Sequence, residues 1–598
     1  MPGEFIQQKN AFESIQLKFT MKIKSLFCWI IAIAAGFPVN RLYAQKSNAS
    51  VSIEKFGAKK DLGEDATEAV KNALLYIKQN KINKLVFPKG RYDFYPDQAA
   101  EKYIFTSNND ESLKRIIFLL SGFNNVEIDG QGASFIFHGY VSPFIIENSK
   151  GITLKNFSID WDRTFHSEGK IISVDNDGME LSFSEKFPYK IENGILVFRD
   201  NNKVEYPYGS LLEFDPVKHE TAYMASDYYF GHGQAAKEIS PGTVRLLAPG
   251  IKGTPGNVMV FNALKRLCSA ITVADSRDLL FDSLNIYHCG GMGIVAQRSR
   301  DMEINHLTVT RSPGTGRVLS ITADATHFVN CGGKLLIQNS LFENQMDDAA
   351  NIHGIYVQVT KKFSATKVEV QLKHEQQLGF DFIRPGSKLE LVHNTDMEAY
   401  DTVTVKYVNR INKEYTQVTF TKPLPAQLVI GKDVLAAIDN YPEVTIRNCI
   451  IQKNRARGML IGSRGKVLIE NNTFHTSGAA ILFEGDGSYW FEQAGVRDVT
   501  LRNNLFDNCN YGVWGNAVIQ IGSGVQKEYR NISRYNRNIK IYNNIFNVFD
   551  PRLLNGYSVK GLSFSNNTIN ISEAYPNKFP GAKRFDLTDC ADLKIDGL

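Results

Sequence analysis

Residues 345–354 read Gln-Met-Asp-Asp-Ala-Ala-Asn-Ile-His-Gly, and they fall where a chain of repeating β-rungs should carry Gly or Ala. Adjacent carboxylates in such a place are suited to acid and base chemistry, because like charges that close cannot both ionise freely and one is driven to keep its proton. Asp347 and Asp348 are the pair, and Asp324 joins them through the register of the repeat.

That register follows from a recurring apolar-x-apolar-x-Asn pattern at 444–448, 467–471, 499–503 and 539–543, with a degenerate copy at 562–566. The third residue of each copy anchors the count: Ile446 to Ile469, Ile541 to Phe564 and Phe281 to Ile304 are each 23 residues apart, and Leu336-Ile337-Gln338-Asn339 fits the same template. A fixed period of this length, with β-branched residues and Asn, Gly and Ser turns, signals a solenoid. No rung can bury its apolar face alone, so rungs stack as parallel strands around a shared core. The expected fold is all-β: a right-handed parallel β-helix with an N-terminal helical cap and two inserted antiparallel β-domains. Asn339, Asn448, Asn471 and Asn503 read as structural turn residues.

Ten residues after the anchors Phe281, Ile446, Ile469 and Leu501 come Gly291, Ala456, Ala479 and Tyr511, while the same count from Ile337 reaches Asp347. Asp348 takes the next column, with Met292, Arg457 and Ala480. The preceding rung is longer, 33 residues from Ile304 to Ile337; counting back 13 from its end, the distance from Gly291 to Ile304, places Asp324 directly beneath Asp347. Strands lie about 4.8 Å apart, so the three acids should crowd together and at least one pKa should rise. A proton donor beside carboxylate acceptors is what glycosidic bond cleavage requires. The same spacing also suits calcium, whereas a purely structural stack of buried charge is disfavoured.

The modest net charge of +5 over 598 residues leaves no basic block and no nucleic-acid partner. Seven Cys are scattered without metal spacing, which favours buried thiols over a disulfide framework. Residues 1–20 read as an upstream extension and 21–44 as a signal peptide: Lys22 and Lys24, an apolar run over 26–37, then Leu42-Tyr43-Ala44. The run is short of the roughly 20 residues that span a bilayer, so the mature chain from Gln45 is expected to be secreted or periplasmic and free of the membrane. Domains are expected at 45–162 (cap and first rungs), 163–270 (first insertion), 271–354 (rungs with the acids), 355–440 (second insertion) and 441–598 (C-terminal rungs). The cap rests on Phe56-Gly57-Ala58, on an amphipathic helix opened by Asp65-Ala66-Thr67 with Val70, Leu74 and Ile77 inward, and on Val86-Phe87-Pro88-Lys89-Gly90. It resembles the cap shared by pectin-degrading and related carbohydrate-active β-helices.

Three segments together, Ile321-Thr322-Ala323-Asp324, the 345–354 motif and the loop Glu484-Gly485-Asp486-Gly487-Ser488-Tyr489-Trp490, resemble glycoside hydrolase family 110 over essentially the whole mature chain. Family 28 polygalacturonases share an Asp-Asp pair on this scaffold, but they add Asn-x-Asp before it and Arg-x-Lys after it. Here Ala323-Asp324 lacks the Asn, and Arg455-Ala456-Arg457 has Arg in place of Lys. The resemblance implies a metal-independent exo-α-1,3-galactosidase that removes terminal galactose with inversion, blood group B structures included. It further implies Asp347 as general acid, with Asp324 and Asp348 holding and deprotonating the attacking water. No cofactor is expected. Strand spacing alone suggests a carboxylate separation near the roughly 5 Å of retaining enzymes, where inverting ones need about 6.5–9.5 Å.

For the substrate, Trp490 with Tyr489 offers an aromatic face, and Glu484 and Asp486 offer hydroxyl acceptors, although a loop packing its own aromatics reads nearly as well. Arg457 suits either a hydroxyl or a neighbouring carboxylate. Asn351 and His353 are further substrate candidates, His353 equally a satisfied turn histidine. Asp160-Trp161-Asp162 at the entry to the first insertion receives no role. The partner implied is a glycan ending in α-1,3-galactose, and oligomeric state stays open. A polysaccharide lyase or polygalacturonase-like enzyme and a non-catalytic glycan-binding β-helix remain the alternatives.

Overall fold

The computed structural model describes residues 49–231 and 233–596; the 21–44 export signal and the stretch before it lie outside the described residues. The cap helix, α1 (Thr67–Asn80), buries Val70, Leu74 and Ile77 against the first rungs. Asp65 Oδ1 accepts the Thr67 N–H at 2.9 Å, satisfying one of the donors a helix start leaves open. Capping matters because an uncovered solenoid end exposes unpaired strand edges.

Above the cap runs a parallel β-helix. One column of paired residues climbs it without a break: Leu85, Ile128, Leu154, Phe281, Ile304, Ile337, Ile446, Ile469, Leu501, Ile541 and Phe564. All are buried, so every anchor position of the sequence repeat is a core position. The Asn that closes each pattern adopts left-handed backbone, with φ between 54° and 57° at Asn339, Asn448, Asn471 and Asn503. A second ladder, invisible in the pattern, lies one residue on. Asn472 Nδ2 donates to Asn504, Asn504 to Asn544 and Asn544 to Asn567, each at 3.0 Å, and this ladder satisfies amides that burial would otherwise leave costly.

A second parallel sheet bears the acids. Its strands include Ile271–Ala274, Ile294–Gln297, Thr326–Val329, Ala350–Lys362, Met459–Ile461 and Ile481–Phe483. The first insertion is an antiparallel sheet from Ser167–Asp175 to Val258–Ala263. The second begins inside a rung. Ala350–Lys362 pairs in parallel through Ala350, Asn351 and Ile352 with the rung after it, then continues as the antiparallel partner of Lys367–Gln371 and Val434–Ala437. Asp347 and Asp348 therefore sit at the foot of this domain.

The counted register needs one correction. Thr326 pairs with Ala350, so Asp324 lies under Asp348, and Asp347 lies over Ala323. Counting back from Ile337 errs by one because the ladder slips between Arg300 and Met302: Arg300 faces Gly332 but Met302 faces Leu335. Gly333, at φ 66°, is the residue the bulge absorbs.

Candidate active site

The strand Thr326–Val329 and the strand Ala350–Lys362 carry the acids on the turns just before them. One carboxylate oxygen from each of Asp324, Asp347 and Asp348 lies within 4.8 Å of the others. Backbone pairing sets this closeness: Asp348 N–H donates to Asp324 Oδ1 at 3.0 Å, and Ala325 N–H donates to the Asp348 carbonyl at 2.8 Å.

The three carboxyls have different surroundings. Asp348 is fully buried and forked by Arg457, whose Nε and Nη2 reach its two oxygens at 3.0 Å each. Asp347, slightly exposed, meets Arg266 at 3.0 Å, Arg455 at 3.4 Å and Arg457 at 3.6 Å. Among the described residues no guanidinium meets Asp324, which is bonded through Oδ2 to His327 Nδ1 at 2.6 Å. Burial pushes all three pKa values up. At Asp347, Arg455, Arg266 and Arg457 outweigh burial and hold the carboxyl below its ordinary value. At Asp324, burial and then the Asp347 charge prevail and raise it. Asp348 is also raised by burial, with Arg457 opposing and the other two acids adding. Of the three acids, Asp324 and Asp348 are the ones that favour a retained proton, and Asp347 favours the ionised form.

Calcium fits this arrangement poorly. Every oxygen of the three carboxyls already faces an N–H group or the His327 ring, and three guanidiniums supply the positive charge a hard cation would bring.

Asp324 and Asp347 open onto a cavity of about 160 Å³ lined also by Asn351, Arg457, Glu484, Asp486 and Trp490, all anticipated from sequence; Asp348, expected as the third catalytic acid, is fully buried and does not line it. Among the described residues no group donates a hydrogen bond to Glu484, whose pKa burial raises. Asn351 Oδ1 is buried without a partner. Both are open acceptors, the kind of group a sugar hydroxyl satisfies. Asp486 differs, because its Oδ1 takes the N–H of Ser488 at 2.8 Å and of Trp490 at 3.2 Å and so holds the loop that presents Trp490. Tyr489 stands edge-on to Trp490, outside the lining.

Among the expected substrate contacts, His353 is not brought to the cavity wall. Its ring is buried behind His327, Nε2 to Nε2 at 2.9 Å, with Nδ1 against the Gly354 carbonyl at 2.7 Å. Asp160 clamps Arg317 at 3.0 Å, and Trp161 packs on Phe137 and Phe165.

Sequence reasoning missed Asn108, Arg266, His327, Gln376 and Glu492, which also line the wall. They come from a loop after the cap, the return of the first insertion, the rung of Asp324, the second insertion and the expanded 484–493 rung. Only His327, three residues after Asp324, carried a local signal.

A second cavity of about 500 Å³ shares Arg266 and Gln376 with the first and is walled by the first insertion through Asp227, Tyr229, Phe230, Asn262 and Leu264. Met346 and Arg455 line it from the helix side; Asp347 lines the first space and is held by Arg266 and Arg455, which line the second. Arg455 ties them: it reaches Asp347, donates to Asp227 at 2.7 Å and to the Tyr229 hydroxyl at 2.8 Å, while Trp514 donates to the same Asp227 oxygen at 2.7 Å.

Family models match in three places: GLAA-B beta-barrel domain I over 167–259, GLAA-B beta-barrel domain II over 367–435 and a right handed beta helix region over 435–583. Alpha-1,3-galactosidase A of Shewanella woodyi is 37% identical over 88% of this chain and 87% of its own. Alpha-1,3-galactosidase B of Bacteroides thetaiotaomicron is 34% identical over 89% and 87%, and Alpha-1,3-galactosidase A of Bacteroides fragilis 29% over 93% of each. The chain thus matches proteins with one named activity along nearly their full length and its own, and it belongs to glycoside hydrolase family 110, the family of these α-1,3-galactosidases, as a galactosidase.

Proposed function

We propose that the protein is an exported exo-glycosidase that removes terminal α-1,3-linked galactose, from blood group B type and linear glycans, with inversion. One observation carries this reading: a small acid-lined cavity, sized for a single sugar, adjoins a larger one walled by the first insertion, and Asp347, which lines the first, is held by Arg266 and Arg455, which line the second. Terminal galactose takes the first space and the remaining glycan the second, which puts the glycosidic oxygen beside Asp347.

In the productive state Asp347 carries the proton of the cluster, Asp348 stays ionised in the Arg457 fork, and ionised Asp324 holds a water beneath the anomeric carbon. The water oxygen bonds to that carbon as the bond to the leaving oxygen breaks; one water proton passes to Asp324, and the Asp347 proton passes to the leaving oxygen. The step ends with Asp324 protonated and Asp347 ionised. That distribution agrees with the one favoured by burial at Asp324 and by the three guanidiniums at Asp347. One proton returning from Asp324 to Asp347, through a water or bulk solvent, resets the site.

The nearest carboxylate oxygens, within 4.8 Å, are the specific observation on the side of a retaining reading, since inverting pairs stand about 6.5–9.5 Å apart and retaining ones about 5–5.5 Å. Proton NMR of the first galactose released from an α-1,3-galactoside decides it. β-Galactose is expected; α-galactose overturns inversion, and no release from linear or B-type branched substrates overturns the activity. Export predicts that the full-length chain, expressed in a Gram-negative host, is recovered in the periplasm or medium as a form beginning at Gln45; a cytoplasmic chain that keeps residues 21–44 overturns it.

A further inference from the structure

The hydrogen-bond chain behind Asp324 imposes a proton count. His353 Nδ1 faces the Gly354 carbonyl at 2.7 Å, and a carbonyl can only accept, so His353 Nδ1 bears hydrogen. A neutral His353 then presents a lone pair at Nε2. His327 Nε2, 2.9 Å away, must donate to it. His327 Nδ1 is left as the lone pair that faces Asp324 Oδ2 at 2.6 Å. Both rings are buried, and burial lowers both pKa values, His327 to about 4. Linked in this way, two neutral imidazoles cannot donate to Asp324. The bond between Asp324 and His327 closes only when one additional proton enters it.

We propose that His327, with its tautomer fixed by His353, is the positioning residue that makes Asp324 the acceptor of the proton leaving the attacking water. An ionised Asp324 faces a lone pair at hydrogen-bond distance, which is repulsive; protonation turns that repulsion into an O–H···N bond. The gain on taking a proton strengthens the base. Other charges face the pair from every side: Asp347 and Asp348 from the next rung, Arg457 from the rung after that, Arg266 from the return of the first insertion and Glu492 from the expanded rung. None of them reaches Asp324 Oδ2, which His327 occupies.

This inference rests on the galactosidase reading, and the test separates the two. The pH dependence of kcat/KM is measured for wild type, His327→Gln and His353→Leu on an α-1,3-galactoside and on α-galactosyl fluoride, whose leaving group needs no acid. A glutamine amide donates to Asp324 and stabilises its carboxylate; leucine frees His327 to turn its hydrogen toward Asp324. Both variants should move the acid limb down by at least about one pH unit and lower kcat about tenfold or more, within the range general-base catalysis contributes. KM should stay within about twofold, and the fluoride should give no rescue. An acid limb left in place in both variants, or activity restored by the fluoride, overturns the proposal. Should the variants fail to fold, ¹⁵N shifts of histidine-labelled wild type at pH 8 decide it: His327 bare at Nδ1 and protonated at Nε2 is expected, and the opposite tautomer overturns it. Wild type that frees no galactose overturns the parent reading instead.

Discussion

Asp348 stands on the rung after Asp324 in the same register column, and its backbone N–H donates to Asp324 Oδ1 at 3.0 Å. Strand pairing itself fixes the spacing of these two acids, so they cannot part unless the rung opens. Asp347, one residue earlier, is turned toward the guanidiniums and the cavity.

Replacing Asp347 by Asn should lower kcat/KM on α-1,3-galactosides by about 10²- to 10⁴-fold, the span of a lost proton donor. Galactose affinity by calorimetry and the thermal midpoint should change little, and α-galactosyl fluoride should recover much of the rate. Unchanged turnover removes Asp347 from the mechanism.

Asp324→Asn should also abolish turnover, but with a stability signature of its own. The folded pKa of Asp324 is raised, to about 7, above an unfolded value near 3.9. Between these values the native state binds the proton and the unfolded chain does not, so this group lowers stability progressively as pH rises from about 4 through 7. Asparagine removes that penalty, and its amide N–H can donate to His327 Nδ1. Urea unfolding should therefore show the variant gaining on wild type at pH 8 relative to pH 4; an equal difference at both pH values contradicts the raised pKa.

Trp490→Ala tests the cavity wall. Trp490 is half exposed at the rim, and a sugar stacked on it should be worth about 1 kcal/mol, or roughly a fivefold to tenfold rise in KM with kcat within twofold. Steady-state kinetics on one defined galactoside reads it, and an unchanged KM assigns Trp490 to loop packing alone.

The bulge at Gly333 makes a prediction far from the chemistry. At φ 66° a side chain is strained, and a Cβ there would meet the Asp301 carboxylate. Gly333→Ala should cost about 1–3 kcal/mol in urea unfolding, and a neutral result would mean that the slip in register does not depend on this backbone conformation.

Much of the scaffold is legible in the chain alone, because the period of a solenoid is written locally. Each rung repeats its own apolar-x-apolar-x-Asn, and the column from Leu85 to Phe564 follows from those positions. Gaps in the period at 154–281 and 337–446 exposed the insertions, and the 345–354 motif stood out because Asp347 shares its column with uncharged residues such as Gly291, Ala456 and Ala479. The offset of Asp324 was lost at a bulge, where one residue more or less changes no pattern.

Local sequence specifies the repeat, the core column, the presence of three acids within one or two rungs, and a family resemblance that relatives over most of the chain confirm. What surrounds those acids is set by the folding of distant segments onto them. Arg266 reaches Asp347 across 81 residues and Asn108 reaches Glu492 across 384, and such contacts depend on how the insertions fold back onto the helix. Proton placement is decided there as well. Three identical carboxyl side chains differ because one faces three guanidiniums, one a single Arg457 fork and one an imidazole held by a second imidazole. Burial and neighbouring charge belong to the assembled site and leave no trace in local sequence.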